Sequence, residues 1–312
     1  MPATLTQPTL FGGPTLAGFT EFCRAELTAC GPDPQFSLLA ALTATSSPAE
    51  RVWAVGCYCA VHCFPTAVIM WHEWRADDAL CRTEALQAWQ LHHWKGLPVR
   101  PEMKSARMPA KRLACYMGFA KLAQTWPDLL ATTQGLTPYD AVWSRAIASV
   151  PFFGRYMAIK FLELLRLTVA PDLVLADLRP RDAWSPRRVL GWLFPDEAHV
   201  LDSPDNSTAT LGVVNAAGAR TRASLATAGV AVTWYQLQVL LCEYREALAG
   251  GFYPGCSHDE ELAYIRQAAA VFGAPAVAPI YAARRRLFPA ALLGELNDWG
   301  AFRRTEAHAW RC

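Results

Sequence analysis

No apolar run in the chain reaches the roughly 18 to 20 residues of a membrane span. The opening stretch MPATLTQPTLFGG also lacks the basic and then apolar pattern of a secretory leader. A cytoplasmic protein with no membrane partner is therefore expected. Charge of one sign is missing too: 29 Lys+Arg stand against 27 Asp+Glu, a net of +2, so any surface for nucleic acid must come from local clustering. There is no GxxxxGK[ST], no GxGxxG and no GxSxG, which removes the main sequence support for kinase, dinucleotide dehydrogenase and serine hydrolase readings. Neither ATP nor NAD is expected as a cofactor. Clear period-2 patterns are scarce and no fixed-period repeat is present, which argues against an all-β or solenoid fold.

What remains is a chain of 312 residues that is 53% hydrophobic, enough to bury a large core. Its apolar spacing is mostly helical, so the expected class is mainly α with few short strands. A single large helical unit is expected over 1–312, the alternative being two lobes of about 1–135 and 136–312, with a loop insertion near 196–222 where DSPDNST breaks the pattern. Short β-branched runs occur in LGVVNAAGARTRAS and AGVAVTWYQLQVLLCEYREAL. Ser47-Pro48 reads as a helix start, Phe64-Pro65 as a break or kink, and Pro138 as the first turn of a helix through PYDAVWSRAIASV. Residues 95–112 carry Lys95, Arg100, Lys104, Arg107, Lys111 and Arg112 against Glu102, with three prolines, and read as an extended basic loop. The ten cysteines lack the spacing of a small disulfide scaffold and read as reduced, mostly packed thiols. Cys57, Cys59, His62 and Cys63 crowd into seven residues, but no second CxxC follows, so packing is expected there rather than metal binding.

The most informative segment is AIASVPFFGRYMAIKFLELLR, residues 146–166. It reads as one helix end, a tight turn at 150–154 and a second helix. Such a turn aims backbone N–H groups at one side, which suits a phosphate, and Arg155 and Lys160 reinforce it. The stretch resembles the helix-hairpin-helix of base-excision DNA glycosylases, Leu-Pro-Gly-hydrophobic-Gly followed four residues later by Ala. Val150, Pro151, Phe153, Gly154 and Ala158 match, whereas Phe152 stands where that family has its first Gly. An ordinary αα-hairpin is the alternative reading. In those enzymes an Asp follows by about twenty residues. Asp172 and Asp177 bracket that place, and Asp177 fits better; a helix N-cap is the alternative for either.

Three further stretches narrow the resemblance: DAWSPRRVLGWLFP, LLCEYREALAGGFYPGCSHDEEL and YCAVHCFPTAVIMW. With the hairpin they resemble the phage α-glutamyl/putrescinyl-thymine pyrophosphorylases, amino acid:DNA transferases of thymine hypermodification that are distant relatives of the glycosylases. The resemblance covers about two thirds of the chain. It implies that a free amino acid or polyamine attacks a pyrophosphorylated 5-hydroxymethyluracil in double-stranded phage DNA, within the infected host, and that pyrophosphate leaves. Two other readings are open: a glycosylase-like enzyme acting on a modified base, and a non-enzymatic DNA-binding phage protein.

That reaction needs particular side chains. The hairpin residues Pro151, Phe152, Phe153, Gly154, Arg155 and Lys160, with Lys104 and Arg107 of the basic loop, are the expected DNA contacts. Arg187 and Arg188, beside Ser185-Pro186 at a helix start, are the expected holders of the diphosphate. Mg2+ on the pyrophosphate is the one cofactor that this chemistry leaves open. Asp177 and Glu243 are the candidate bases for a protonated amine; an ion pair with Arg245 or Arg266 is the alternative role for Glu243. Arg245 would suit a donor's carboxylate. Arg284, Arg285 and Arg286 form a further basic run, read as a DNA or solvent face, and His258 draws interest through the resemblance alone.

Overall fold

The computed structural model describes residues 11–93, 96–100, 108–133, 135–181 and 184–296. It is mainly helical, 71% helix in 16 α-helices, with no strand among the described residues. In chain order these are α1 (Leu16–Thr28), α2 (Gln35–Leu42), α3 (Pro48–Val61), α4 (Phe64–Glu73), α5 (Ala76–Cys81), α6 (Thr83–His93), α7 (Pro109–Gln124) and α8 (Trp126–Leu130). Then follow α9 (Pro138–Ser149), α10 (Arg155–Thr168), α11 (Trp184–Leu193), α12 (Ala198–Leu201), α13 (Thr208–Thr227), α14 (Trp234–Leu248), α15 (Cys256–Phe272) and α16 (Ala274–Leu287). No described helix is long and apolar enough to cross a membrane.

The chain divides into two compact units, neither continuous in sequence. The larger takes Asp33–Val174 and His258–Glu295; the smaller takes Met1–Pro32, Leu175–Ser257 and Leu296–Cys312. These bounds differ from the lobes 1–135 and 136–312, because the first helix packs with elements some two hundred residues later rather than with its sequence neighbours.

In the larger unit α3 is the central helix. Val52 through Val61 are all buried, the pattern of a helix surrounded on every side. It starts sharply because the Ser47 side chain accepts from Glu50 N (3.3 Å) with Pro48 in the first turn. Against it lies α7, so closely that a Cβ at Gly56 would meet the Phe119 Cβ at 2.4 Å. Both α4 and α10 also pack on α3, while α2 packs with α10 and α16.

In the smaller unit α11 packs on α14, α12 and α13, and α1 packs on α14. Phe19 and Phe22 of α1 set their rings 5.2 and 5.4 Å from that of Tyr244. The expected loop insertion near 196–222 is instead a short 3-10 turn, α12, a brief connection and most of α13. Ser207 caps α13 by accepting from Thr210 N (3.3 Å), and the alanines beyond favour helix more strongly than the two-residue run Val213-Val214 favours strand. The second β-branched run, 230–232, is a connection leading into α14, which a Thr233–Gln236 capping box starts.

Candidate functional site

The α9–α10 hairpin lies in the larger unit. Thr137 caps α9 by accepting from Asp140 N (3.1 Å), with Pro138 in the first turn, as the sequence predicts. The turn at 150–154 then holds Phe152 at φ 60, a left-handed conformation. That is the position where the resembled motif has Gly, so the turn keeps a glycine-like backbone although a bulky side chain occupies it. Phe153 turns inward onto Phe119 and Phe161, with ring centroids 5.1 and 5.8 Å apart. Phe152 and Tyr156 point out, each 56% exposed, beside exposed Pro151, Gly154 and Arg155. Lys111 sits 5.2 Å from the Phe152 ring. No side chain caps α10, and a Cβ at Gly154 would meet nothing within 4 Å, so the first turn of α10 is open to an approaching group. Seating is tight on the other side: a Cβ at Gly118 of α7 would come within 3.0 Å of Val150 Cα and of Pro151 Cδ.

Lys160, expected at the DNA backbone, is buried instead, 5% exposed and paired with Asp33 just before α2. One helical turn beyond Tyr156, it faces the core, and its stem lies against rings: Nζ is 5.5 Å from Phe36 and 5.6 Å from Tyr156. Burial opposes its charge, but the Asp33 carboxylate and Tyr156 outweigh that and hold the ammonium above the usual lysine value. Gln35 Nε2 ties the pair to α3 by donating to Asp33 Oδ1 (2.8 Å) and to Tyr58 Oη (2.9 Å).

Beside this pair, at the end of α3, stands His62, 1% exposed, at φ 50. Its ring lies edge-on to Tyr58 and Tyr156, with centroids 5.5 and 5.8 Å away. Neither ring nitrogen has a hydrogen-bond partner. Burial first, then the cations of Arg100 and Lys160, push its pKa well below the ordinary histidine value, so the ring is neutral. Five non-glycine residues among those described have positive φ, and three of them, Asp33 at 55, His62 and Phe152, belong to this cluster and hairpin. Strained backbone of this kind concentrates at functional sites.

Arg100 links the cluster to α15 by an ion pair with Glu260, which also accepts from Tyr264 Oη (3.0 Å). The next residue, Glu261, is 5% exposed, and its Oε1 is buried without a partner. Burial, opposed by Arg284 and Arg100 and aided by Glu260, pushes its carboxyl up to about 8. Arg284, one of the three arginines read as a surface run, is 1% exposed, with Nη2 3.0 Å from Nε2 of His258; Arg285 and Arg286 are exposed. The neighbouring thiols of Cys57, Cys59 and Cys63 are pushed up, by burial above all, and stay protonated. No group of three or more His, Cys, Asp or Glu among the described residues could hold a metal ion.

The other expected site residues fall in the smaller unit. Arg187 is a strut rather than a diphosphate holder: 1% exposed, it donates to the carbonyls of Leu201 (3.3 Å), Ser203 and Asp205 (2.9 Å) and to Asn206 Oδ1 (3.0 Å). Its donors are spent on one loop, while Arg188 is exposed. Asp177 closes a turn, accepting from Arg179 N (2.7 Å) and Asn215 Nδ2 (2.9 Å). Arg245 bonds Glu246 and Ser185 Oγ (2.8 Å). Glu243 is half-buried near Cys23, whose thiol is pushed up by burial, by Glu243 and by Glu26. Lys104 and Arg107 lie outside the described residues.

No family model, no curated protein and no solved structure matches the chain. Function is therefore argued from the hairpin and the cluster themselves. The residues that the sequence reading passed over are Asp33, Gln35, Tyr58, Glu260 and Glu261, along with any role for Arg100 beyond its place in the basic loop. The available signal was HDEEL, three consecutive acids in an otherwise apolar stretch.

Proposed function

We propose that this chain is a DNA base-modifying transferase with a helix-hairpin-helix architecture like that of DNA glycosylases. It joins the amine of an amino acid or polyamine to the methylene of a pyrophosphorylated 5-hydroxymethyluracil and releases pyrophosphate. The observation that carries the reading is the hairpin: Phe152 keeps the left-handed backbone of the motif glycine, the first turn of α10 is open, and the exposed ring of Tyr156 borders a buried cluster of titratable groups.

The open helix start and Arg155 take a backbone phosphate. Phe152 and Tyr156 offer rings against which an extruded base stacks. In the chemical step the C–N bond forms as the methylene C–O bond breaks, and the bonding pair leaves with pyrophosphate. The amine attacks only after giving up a proton, and ionised Glu261 is the group to take it: a carboxylate whose acid is held near 8 matches an ammonium closely enough to accept its proton at little cost, and it becomes available as pH rises towards 8. On this reading proton transfer belongs to Glu261 in the larger unit, and Asp177 and Glu243 are not needed as bases.

Nucleoside mass spectrometry tests the reading, using duplex DNA that carries the pyrophosphorylated base, the protein and a pool of amino acids and polyamines. A new nucleoside, thymidine joined to one amine, is the expected product. An unchanged base overturns the reading, and abasic sites would replace it with glycosylase chemistry.

A further inference from the structure

His62 poses a problem that packing alone does not answer. An imidazole buried to 1% exposure ordinarily has a partner for at least one nitrogen, since an orphaned polar group in the interior costs roughly 1 to 3 kcal/mol. Here both nitrogens lack one, and Glu261 Oε1 and Gln35 Oε1 nearby in the unit are buried and unpartnered as well. The backbone of His62 is held left-handed, which adds cost rather than removing it.

The charges that surround the ring come from every neighbouring element. Its own helix gives Tyr58 and the protonated thiol of Cys59, and the protonated thiol of Cys63 stands at the start of α4. Asp33 lies ahead of α2, and α10 gives Lys160 and Tyr156. Arg100 comes from the segment before α7, and Glu260 and Glu261 from α15. Of these, the two that act on the ring are both cations, Arg100 and Lys160. An orphaned donor in such a field is suited to a negatively charged acceptor and unsuited to a cation.

We propose that His62, with Arg100 and Lys160, forms a binding site for a small oxyanion, and that the imidazole takes up a proton when the anion binds. Burial first and then the two cations keep the ring neutral; an anion against it pairs with the imidazolium and offsets both, so proton and anion enter together. Arg100 and Lys160 keep Glu260 and Asp33 as partners, and the added hydrogen bond comes from His62. The sources are set by the transferase reading, on which this assignment of the ligand rests: the departing pyrophosphate or the carboxylate of an amino-acid donor, which share the same charged-oxygen chemistry. A polyamine has no such group.

The test uses the full-length protein without DNA. Sulfate is the first probe, because its charge does not change between about pH 5.5 and 8.5, so any pH dependence belongs to the protein. Binding is followed by calorimetry and by the NMR signals of the His62 ring. The expected result is tighter binding at pH 6 than at pH 8, proton uptake from the buffer, and a shift of the ring signals towards imidazolium. His62→Phe keeps the ring packing against Tyr58 and Tyr156 and should retain the helical circular dichroism while weakening sulfate about tenfold, the loss of one charge-assisted hydrogen bond. Displacement of sulfate by pyrophosphate assigns the leaving group, displacement by glycine assigns the donor carboxylate, and putrescine should displace nothing. Unshifted His62 signals, equal binding by His62→Phe, or binding indifferent to pH each overturn the proposal. These outcomes separate from the transferase reading: a modified nucleoside without anion binding sinks this site alone, and anion binding without a modified nucleoside sinks the reading while the site stands.

Discussion

Arg187 in the smaller unit and Lys160 in the larger are both buried cations, 1% and 5% exposed, but their surroundings differ in kind. Arg187 spreads its charge over three backbone carbonyls and an amide oxygen at the end of α12 and on the short connection before α13. Lys160 is bound to a carboxylate 127 residues away, next to a histidine with no partner. The first arrangement fixes a loop and leaves no donor idle. The second leaves donors and acceptors idle in a charged interior, which is costly for a fold and useful for a ligand. A buried charge is thus informative mainly through the satisfaction of its neighbours.

The largest expected effect comes from breaking the second arrangement. Lys160→Met strands the Asp33 carboxylate and should cost about 3 to 5 kcal/mol in urea unfolding, whereas adding Asp33→Leu should recover most of it. A single variant that unfolds like the wild type would show that the pair is not desolvated.

Glu261 should reveal itself through pH. Its folded pKa of about 8 lies above the unfolded value of 4.5, so the folded state holds a proton that the unfolded chain releases. Stability is therefore fully present below about 4.5, falls as pH rises through the interval, and stops falling above about 8. Glu261→Gln lacks this loss. At pH 9 it should exceed the wild type by on the order of 4 kcal/mol relative to the difference between the two at pH 4.5, read by thermal unfolding in matched buffers. Parallel pH curves for the two proteins would mean that the carboxyl is not buried.

Arg187→Leu sharpens the contrast from the other side. It removes a strut, at a cost of about 2 kcal/mol for acceptors left buried, and should leave DNA modification per folded molecule unchanged. A loss of turnover without a loss of stability would return Arg187 to the role of diphosphate holder.

The smallest effect belongs to the turn. Phe152→Gly relieves a left-handed phenylalanine and should stabilise the protein by about 1 kcal/mol, while DNA affinity in a titration at fixed salt falls several-fold with the loss of the exposed ring. A gain in stability with unchanged DNA affinity would leave the hairpin as a packing device.

Much of the helical organisation was legible because its signals are local. Ser47, Pro48, Pro138 and the break at Phe64-Pro65 act within a few residues, and the structure places helix ends at each. The short β-branched runs misled where caps and alanines outweighed them, as in α13. The hairpin was legible for the same reason, although its key position departs from the motif. The cluster was not. Lys160 and Asp33, His62 and Lys160, and Arg100 and Glu260 are joined only by the fold, and a basic residue in an amphipathic helix carries no mark of whether it turns in or out. His62 stood out for its cysteine neighbours, which turned out to be packed thiols, and its isolation from partners is visible only in three dimensions.

The interleaving of the two units has a consequence for synthesis. Rings of α1 must wait for Tyr244 of α14, about 200 residues further along. At translation rates of about 5 to 20 residues per second, the ribosome needs on the order of 10 to 40 s to supply that helix. Meanwhile Phe19, Phe22 and Cys23, all fully buried in the finished molecule, ride on the nascent chain with no cover from their own unit. The larger unit is likewise incomplete until α15 and α16 emerge, because its second segment runs from His258 to Glu295. The newborn chain thus carries the apolar face of α1 uncovered from early in synthesis until α14 is made.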